Sequence, residues 1–280
     1  MQFFSKTITN LGMVFVFILL MSTTKAQDVE VGIMLGGSNY QGDLSDAAVT
    51  LGETNFAFGI LGRYYLDPRW NIKANIYYGT IAGDDANHTD NPGKVARNLS
   101  FESHVLEFSG QVEFNILPFV SKSRRFRFAP YVFTGISVFN FNPRAEDPDG
   151  NMVSLHDLRT EGQGRGDNPA DEYRLTQIAI PYGIGFKYSM GQGWNLGVEV
   201  GQRKTFTDYL DDVSGFYAND PQNMTELERR MSYRAEGYDG SVENYPAGGR
   251  RSNPDTDDWY IFTGVTITKT LGRRYKCYAF

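Results

Sequence analysis

Three histidines are the first residues to question in this 280-residue chain. Imidazole titrates nearest neutral pH and is the commonest metal ligand. His88 lies in GDDANHTDN beside Asp84, Asp85 and Asp90, an oxygen-rich cluster of the kind hard cations bind. The same run also has the composition of a solvated polar loop, which is the reading adopted here. His104 stands where a barrel lipase or protease would hold its base. No Ser–His or Asp–His pair is visible for it in sequence, so it reads as a rim histidine. Residues 162–167, GQGRGD, resemble a phosphate loop and contain Arg-Gly-Asp, but they neither follow a strand nor open a helix. A flexible outer loop is the better reading. No catalytic constellation, metal site or cofactor motif stands out, so the chain is expected not to be an enzyme and to carry no cofactor.

A second set of residues forms a pattern rather than a motif. Glu30, Arg63, Lys73, Glu107, Glu113, Lys187, Glu199 and Arg203 each fall on the polar side of a segment whose apolar and polar residues alternate. Residues 103–117 show this best: Leu106, Phe108, Val112, Phe114 and Ile116 share one parity, and Glu107, Ser109, Gln111, Glu113 and Asn115 the other. Period two makes a strand with one apolar face and one polar face. The same reading predicts eight strands, near residues 29–36, 55–66, 70–81, 103–117, 126–141, 177–189, 194–203 and 259–269. The fifth is apolar on both faces, which leaves its orientation open.

The connections narrow the fold. Those after the second, fourth and sixth strands are short, at Asp67, Pro118 and Met190; those after the first, third, fifth and seventh are long. Soluble domains rarely use long structureless loops, whereas outer-membrane barrels alternate short periplasmic turns with long outer loops. Trp70, Trp194, Tyr65, Phe126 and Phe128 lie beside short turns, where an aromatic girdle would mark the periplasmic interface, and Trp259 and Tyr260 would mark the other. The chain ends in Phe280, a common ending for such barrels. The expected fold is therefore an all-β, eight-stranded antiparallel transmembrane barrel in the outer membrane, in contact with its lipid.

Composition agrees. There are 30 Gly, 17 Tyr, 20 Phe and a single Cys, with a negative mean hydropathy. Many short strands and turns fit this; membrane helices do not. The net charge of -6 argues against a nucleic-acid partner. Lys6, the apolar run at residues 11–21 and the small-residue site before Gln27 read as a secretory signal covering residues 1–26. That run is shorter than the roughly 20 residues a spanning helix needs. Residues 27–280 then form the barrel domain, with 25 basic against 33 acidic residues. An exported chain whose one cysteine is Cys277 is not stabilised by an internal disulfide.

The eight charges on the polar faces are four acids and four bases. An eight-stranded barrel is only wide enough inside for side chains. Buried charge is costly unless paired. The balance therefore predicts a closed, ion-paired lumen rather than a pore, with Glu107 and Glu113 meeting Lys73, Arg63 or Arg203. A soluble sandwich or a lipocalin-like barrel is the alternative, the latter with its apolar faces inside.

Two loop segments carry structure of their own. In NMTELERRM, residues 223–231, Thr225 and Glu228 have the spacing of a capping box, which predicts a short helix. TFTDYLDDVSGFY, residues 205–217, mixes aromatics with Asp208, Asp211 and Asp212. It is either a self-packed lid or a binding surface.

Several longer motifs then carry a resemblance: GGSNYQGDL (36–44), GDD (83–85), RNLSFESHVLEFSGQVEFN (97–115), FAPYVFTGISVFNFNP (128–143), LRTEGQG (158–164), IPYGIGFKY (180–188), TDYLDDVSGFY (207–217), and Cys277 with Phe280. In that order the chain resembles the PorG family, an outer-membrane barrel component of the type IX secretion system of Bacteroidota. One departure is Tyr278, where the family often has proline. The resemblance implies a non-enzymatic scaffold that associates with the periplasmic ring of the PorK lipoprotein and PorN during protein export. A stand-alone surface barrel for adhesion or envelope integrity is the alternative. The expected contacts are the short turn at Ser121, Lys122, Arg124 and Arg125 and the tail at Cys277. The motif at Asp208, Tyr209, Leu210, Asp211 and Asp212 would meet a surface-side partner or fold into a cap.

Overall fold

The computed structural model describes residues 29–45, 51–89, 91–164 and 172–271. The expected signal segment, Asp90, residues 165–167 of the GQGRGD run, Cys277 and Phe280 lie outside the described residues. Eight long strands close on themselves: β1 (Val29–Gln41), β2 (Asn55–Tyr65), β3 (Trp70–Asp84), β4 (Ser100–Asn115), β5 (Phe128–Asn140), β8 (Thr176–Gly191), β9 (Trp194–Lys204) and β10 (Trp259–Leu271). Two short strands, β6 (Pro143–Glu146) and β7 (Met152–Ser154), form a hairpin beside the top of β4, with Glu102 opposite Arg144. Every neighbouring pair is antiparallel, and β1 meets β10 from Val29 opposite Leu271 to Gln41 opposite Trp259. Closure leaves the barrel no free sheet edge.

The connections alternate as expected. At one end the turns are short. Asp67 holds the first by accepting from the amides of Arg69 (2.6 Å) and Trp70 (2.9 Å). The last passes through Gly191, Gln192 and Gly193, all at positive φ, which explains two glycines in three residues. At the other end lie the long loops, with helices α1 (Pro92–Arg97), α2 (Leu155–Leu158) and α3 (Glu226–Ser232).

The barrel is inverted relative to a water-soluble one. Phe56, Ile60, Ile136 and Ile184 point outward at 57–66% exposure, and the parity partners of outward residues are buried. A large apolar side chain left in water forfeits about 1.5–3 kcal/mol, so a ring of them is stable only against hydrocarbon. Trp70, Trp194 and Phe128 sit outward near the short turns. Lys269 lies over the Trp194 ring at 4.6 Å.

Three expectations change. β5 has a definite orientation: Val132, Ile136 and Val138 face out, while Tyr131, Phe133 and Phe139 are buried inside. Tyr65 and Tyr260 are not girdle residues, because both turn inward to bond lumenal carboxylates. Several strands also run further toward the long-loop end than the sequence pattern reaches, β1 to Gln41 and β3 to Asp84. Along β1 the residues Ser38, Asn39 and Tyr40 are all buried, so alternation between the two faces no longer marks the strand there.

Candidate functional site

The lumen is a packed charge network. All eight predicted residues are there, and each is at most 4% exposed. Alternation along the strands puts them on the inner face. Glu113 on β4 accepts from Arg63 (3.0 Å) and Lys187 (2.5 Å), with the Lys73 ammonium at 3.4 Å. Arg63 also donates to Glu30 (2.8 Å), and Lys73 to Glu199 (2.6 Å). Arg203 pairs separately with Glu107 (2.9 Å). Four acids therefore balance four bases. The expected pairing of Glu113 with Lys73 and Arg63 holds, and so does that of Glu107 with Arg203.

Phenols complete the network, and sequence reasoning missed them. Tyr131 donates to Glu199 (2.7 Å), Tyr260 to Glu107 (2.8 Å) and Tyr65 to Glu30 (2.5 Å). Lys187 and Lys73 lie over the rings of Tyr131 (4.3 Å) and Phe133 (4.5 Å), contacts that strengthen when desolvated. Gly185 makes room for this: a Cβ there would fall 2.2 Å from the Tyr131 ring. The signal for Tyr260 was its parity, opposite to that of Trp259, Ile261 and Val265, and the structure sets it beside Arg203 across the β9–β10 ladder. Tyr131 had none, because aromatics occur on both faces of β5.

At the short-turn end, residues 116–127 fold across the mouth. Phe119 is buried and stacks on Tyr65 (6.1 Å). Ser121 donates to Asn195 (3.0 Å) and accepts from Thr270 (2.8 Å), while the Lys122 amide donates to Ser189 (3.1 Å). Of the expected contacts in this turn, Ser121 and Lys122 are thus partly buried parts of a plug. Arg124 and Arg125 remain exposed.

At the long-loop end, residues 205–258 form a cap. Leu210, Asp211 and Asp212 are essentially inaccessible and Asp208 nearly so, so these four are interior residues rather than an open contact surface. Tyr209 is half-buried and stacks on Tyr173 (4.7 Å). The motif is a lid. Two of its acids, Asp211 and Asp212, turn inward to bond chain segments that lie far away in sequence. Tyr40 on β1 donates to Asp211 (2.6 Å) and to Asp258 (3.1 Å). Asp212 accepts from Thr160 and Tyr173, and Arg251 donates to Glu161 (3.2 Å) and to the Asp212 carbonyl (2.6 Å). Helix α3 carries the predicted capping box, and Ser232 on it donates to the Thr160 carbonyl (2.5 Å). Burial, reinforced by the charge of Asp43, pushes the Asp211 carboxyl up to about 8. Burial likewise raises Asp208 to about 8. It raises Asp212 to about 6, against the opposing pull of Arg251.

The histidines do not assemble a site. Asp85 is buried and held by Arg97 (2.8 Å), and Asp84 caps the Ala86 amide (2.9 Å). Among the described residues no group of three or more His, Cys, Asp or Glu is arranged to hold a metal. His104 points outward, meets Thr80 (3.0 Å) and stacks on Tyr78 (5.8 Å). His156 faces Asp157 (3.3 Å) and the Tyr173 carbonyl (2.9 Å).

A family model described as a domain of unknown function, DUF6089, matches residues 9–228. The chain belongs to this family. The match spans the lumen network from Glu30 to Arg203 and the first part of the cap. No curated protein matches. Among solved structures, the attachment invasion locus protein Ail of Yersinia pestis is 8% identical, covering 88% of this chain and 99% of that chain with a TM-score of 0.40. The N-terminal β-barrel domain of Pseudomonas aeruginosa OprF is 11% identical, with coverages of 87% and 99% and a TM-score of 0.37. The outer-membrane protease OmpT of Escherichia coli is 10% identical, with coverages of 89% and 99% and a TM-score of 0.38. At such identities and TM-scores nothing about activity passes from these proteins to the DUF6089 barrel.

Proposed function

We propose that this chain is a non-enzymatic outer-membrane scaffold of the type IX secretion apparatus, associating through its short-turn end with a PorK-like lipoprotein and a PorN-like ring protein. The observation that carries the scaffold reading is the filled lumen. Side chains close it in mid-barrel, the 116–127 turn closes one mouth and the cap the other. Such a barrel acts through its surfaces. The apolar outer wall supports an outer-membrane location. The type IX assignment is supported by the ordered motifs that resemble the PorG family. Arg124 and Arg125, exposed at the short-turn end, are the surface on which ring proteins would dock. Rim charges of this kind act mainly on association rate and specificity.

The test is photocrosslinking and detergent pull-down with reporters at two exposed positions, Arg124→Cys and Phe216→Cys. Ring proteins should co-purify and crosslink from position 124. Their absence from both assays ends the assignment. A second reading, a stand-alone surface barrel, is favoured by Phe206 and Phe216, which stand 58% and 54% exposed on the cap. It predicts crosslinks only from position 216 and intact export in a deletion strain.

A further inference from the structure

We propose that the outer wall of β5, β8, β9 and β10, at its short-turn end, is a binding site for an anionic phospholipid of the adjoining leaflet, with the phosphate held by Arg127 and Lys269. The charge of this end is one-sided. Residues 66–69, 116–127 and 190–193 carry Arg69, Lys122, Arg124, Arg125 and Arg127 against one acid, Asp67. That carboxylate is engaged in capping the Arg69 and Trp70 amides.

Arg127 and Lys269 lie on the membrane wall rather than at the tips of the turns. Arg127 is exposed and donates to neutral oxygens, from Nε to the Arg124 carbonyl (3.2 Å) and from Nη1 to the Tyr188 hydroxyl (3.3 Å). Tyr188 faces outward, opposite Phe128 on β5 and Leu196 on β9, so this bond draws the guanidinium onto the wall. Lys269 shares the parity of the outward residues Val265, Ile267 and Leu271, and is paired with Val31 of β1 and Trp194 of β9. It is partly exposed, donates to the Gln192 carbonyl (3.0 Å) and lies over the Trp194 ring. Among the described residues neither cation meets an acidic side chain. A cation set among apolar outward side chains rests its stem on the wall and turns its head to the interface. There it meets lipid phosphates, which attract basic side chains. The guanidinium fork matches two phosphate oxygens, and the ammonium adds a point charge.

The wall beside the cations selects a lipid over a free anion. Phe128 and Phe186 are in contact (3.8 Å), and with Ile184, Leu196 and Ile267 they give acyl chains an exposed apolar surface. A zwitterionic headgroup brings its own ammonium to this positive end and gains less. The site is independent of the ring-protein reading, which rests on Arg124 and Arg125.

The test is quenching of Trp194 fluorescence by brominated lipids in bilayers. The chain has three tryptophans, so Trp70→Phe and Trp259→Phe leave Trp194 as the sole emitter. At equal mole fraction, dibrominated phosphatidylglycerol should be preferred over dibrominated phosphatidylcholine by about threefold or more, as cations near an anionic headgroup require. Added salt should weaken the preference, and R127Q/K269Q should abolish it. A second protein, with Trp259 at the opposite end as its one tryptophan, should show no preference. Three results overturn the proposal: equal quenching of Trp194 by the two lipids, a preference undiminished in the double variant, or the same preference at Trp259. Equal quenching together with crosslinks from position 127 to a ring protein would give these cations a protein partner instead. Arg127 and Lys269 both reach the surface, and heat-modifiable gel migration of each variant confirms that the barrel has folded.

Discussion

Glu113 holds three cations at once, Arg63, Lys73 and Lys187, with no solvent to share the task. Glu113→Gln keeps the shape and removes the charge, leaving a surplus positive charge in a buried space. Removing one partner from a buried pair costs about 3–5 kcal/mol, so this variant should unfold at clearly lower urea concentration in bilayers. Adding Lys187→Met restores neutrality and should recover a large part of the loss, because contacting residues couple. A single variant as stable as the parent would mean that the network is hydrated. The presence of these eight charges inside was legible from parity alone. Their partners were legible only in part. Lys187 on β8 reaches Glu113 on β4 over the intervening β5, and the phenols of Tyr65 and Tyr131 sit on positions where an aromatic fits either face.

At the scale of elements, the cap is the part whose stability titrates. Asp208 and Asp211 are raised to about 8 and Asp212 to about 6. In a released loop the same carboxyls return to about 4. The closed cap thus binds more protons than the open one, so its stability is greatest in acid and falls as pH rises from about 4 through 8. Proteolysis of residues 205–258, normalised to the free loop peptide, should be faster at pH 9 than at pH 6, and Asp211→Asn should flatten that difference. Greater protection at pH 9 would exclude an acid-held cap. Sequence left residues 205–217 open between lid and binding surface because their partners, Tyr40, Thr160, Tyr173 and Arg251, are remote in the chain. Helix α3 was legible because a capping box is local. The β6–β7 hairpin was not: its strands are too short to show a period.

For the whole molecule, the alternation of short and long connections was the strongest legible signal, since it reports which end of every strand meets which compartment. Strand polarity then followed without any local contact. In planar bilayers the purified barrel should show no steady conductance, and truncating the cap should not create one, because the Arg63–Glu113–Lys187 network closes the barrel below it. Open-porin current steps would contradict the packed lumen. The balance of four acids and four bases has an effect beyond the single barrel. A wall-to-wall neutral interior is an insulator: it offers ions no path and an applied voltage no net charge to pull on. The number of copies an envelope carries is then uncoupled from how much it leaks. A cell can stock its surface densely with this protein and keep its barrier to small polar toxins set by its lipid and its true pores.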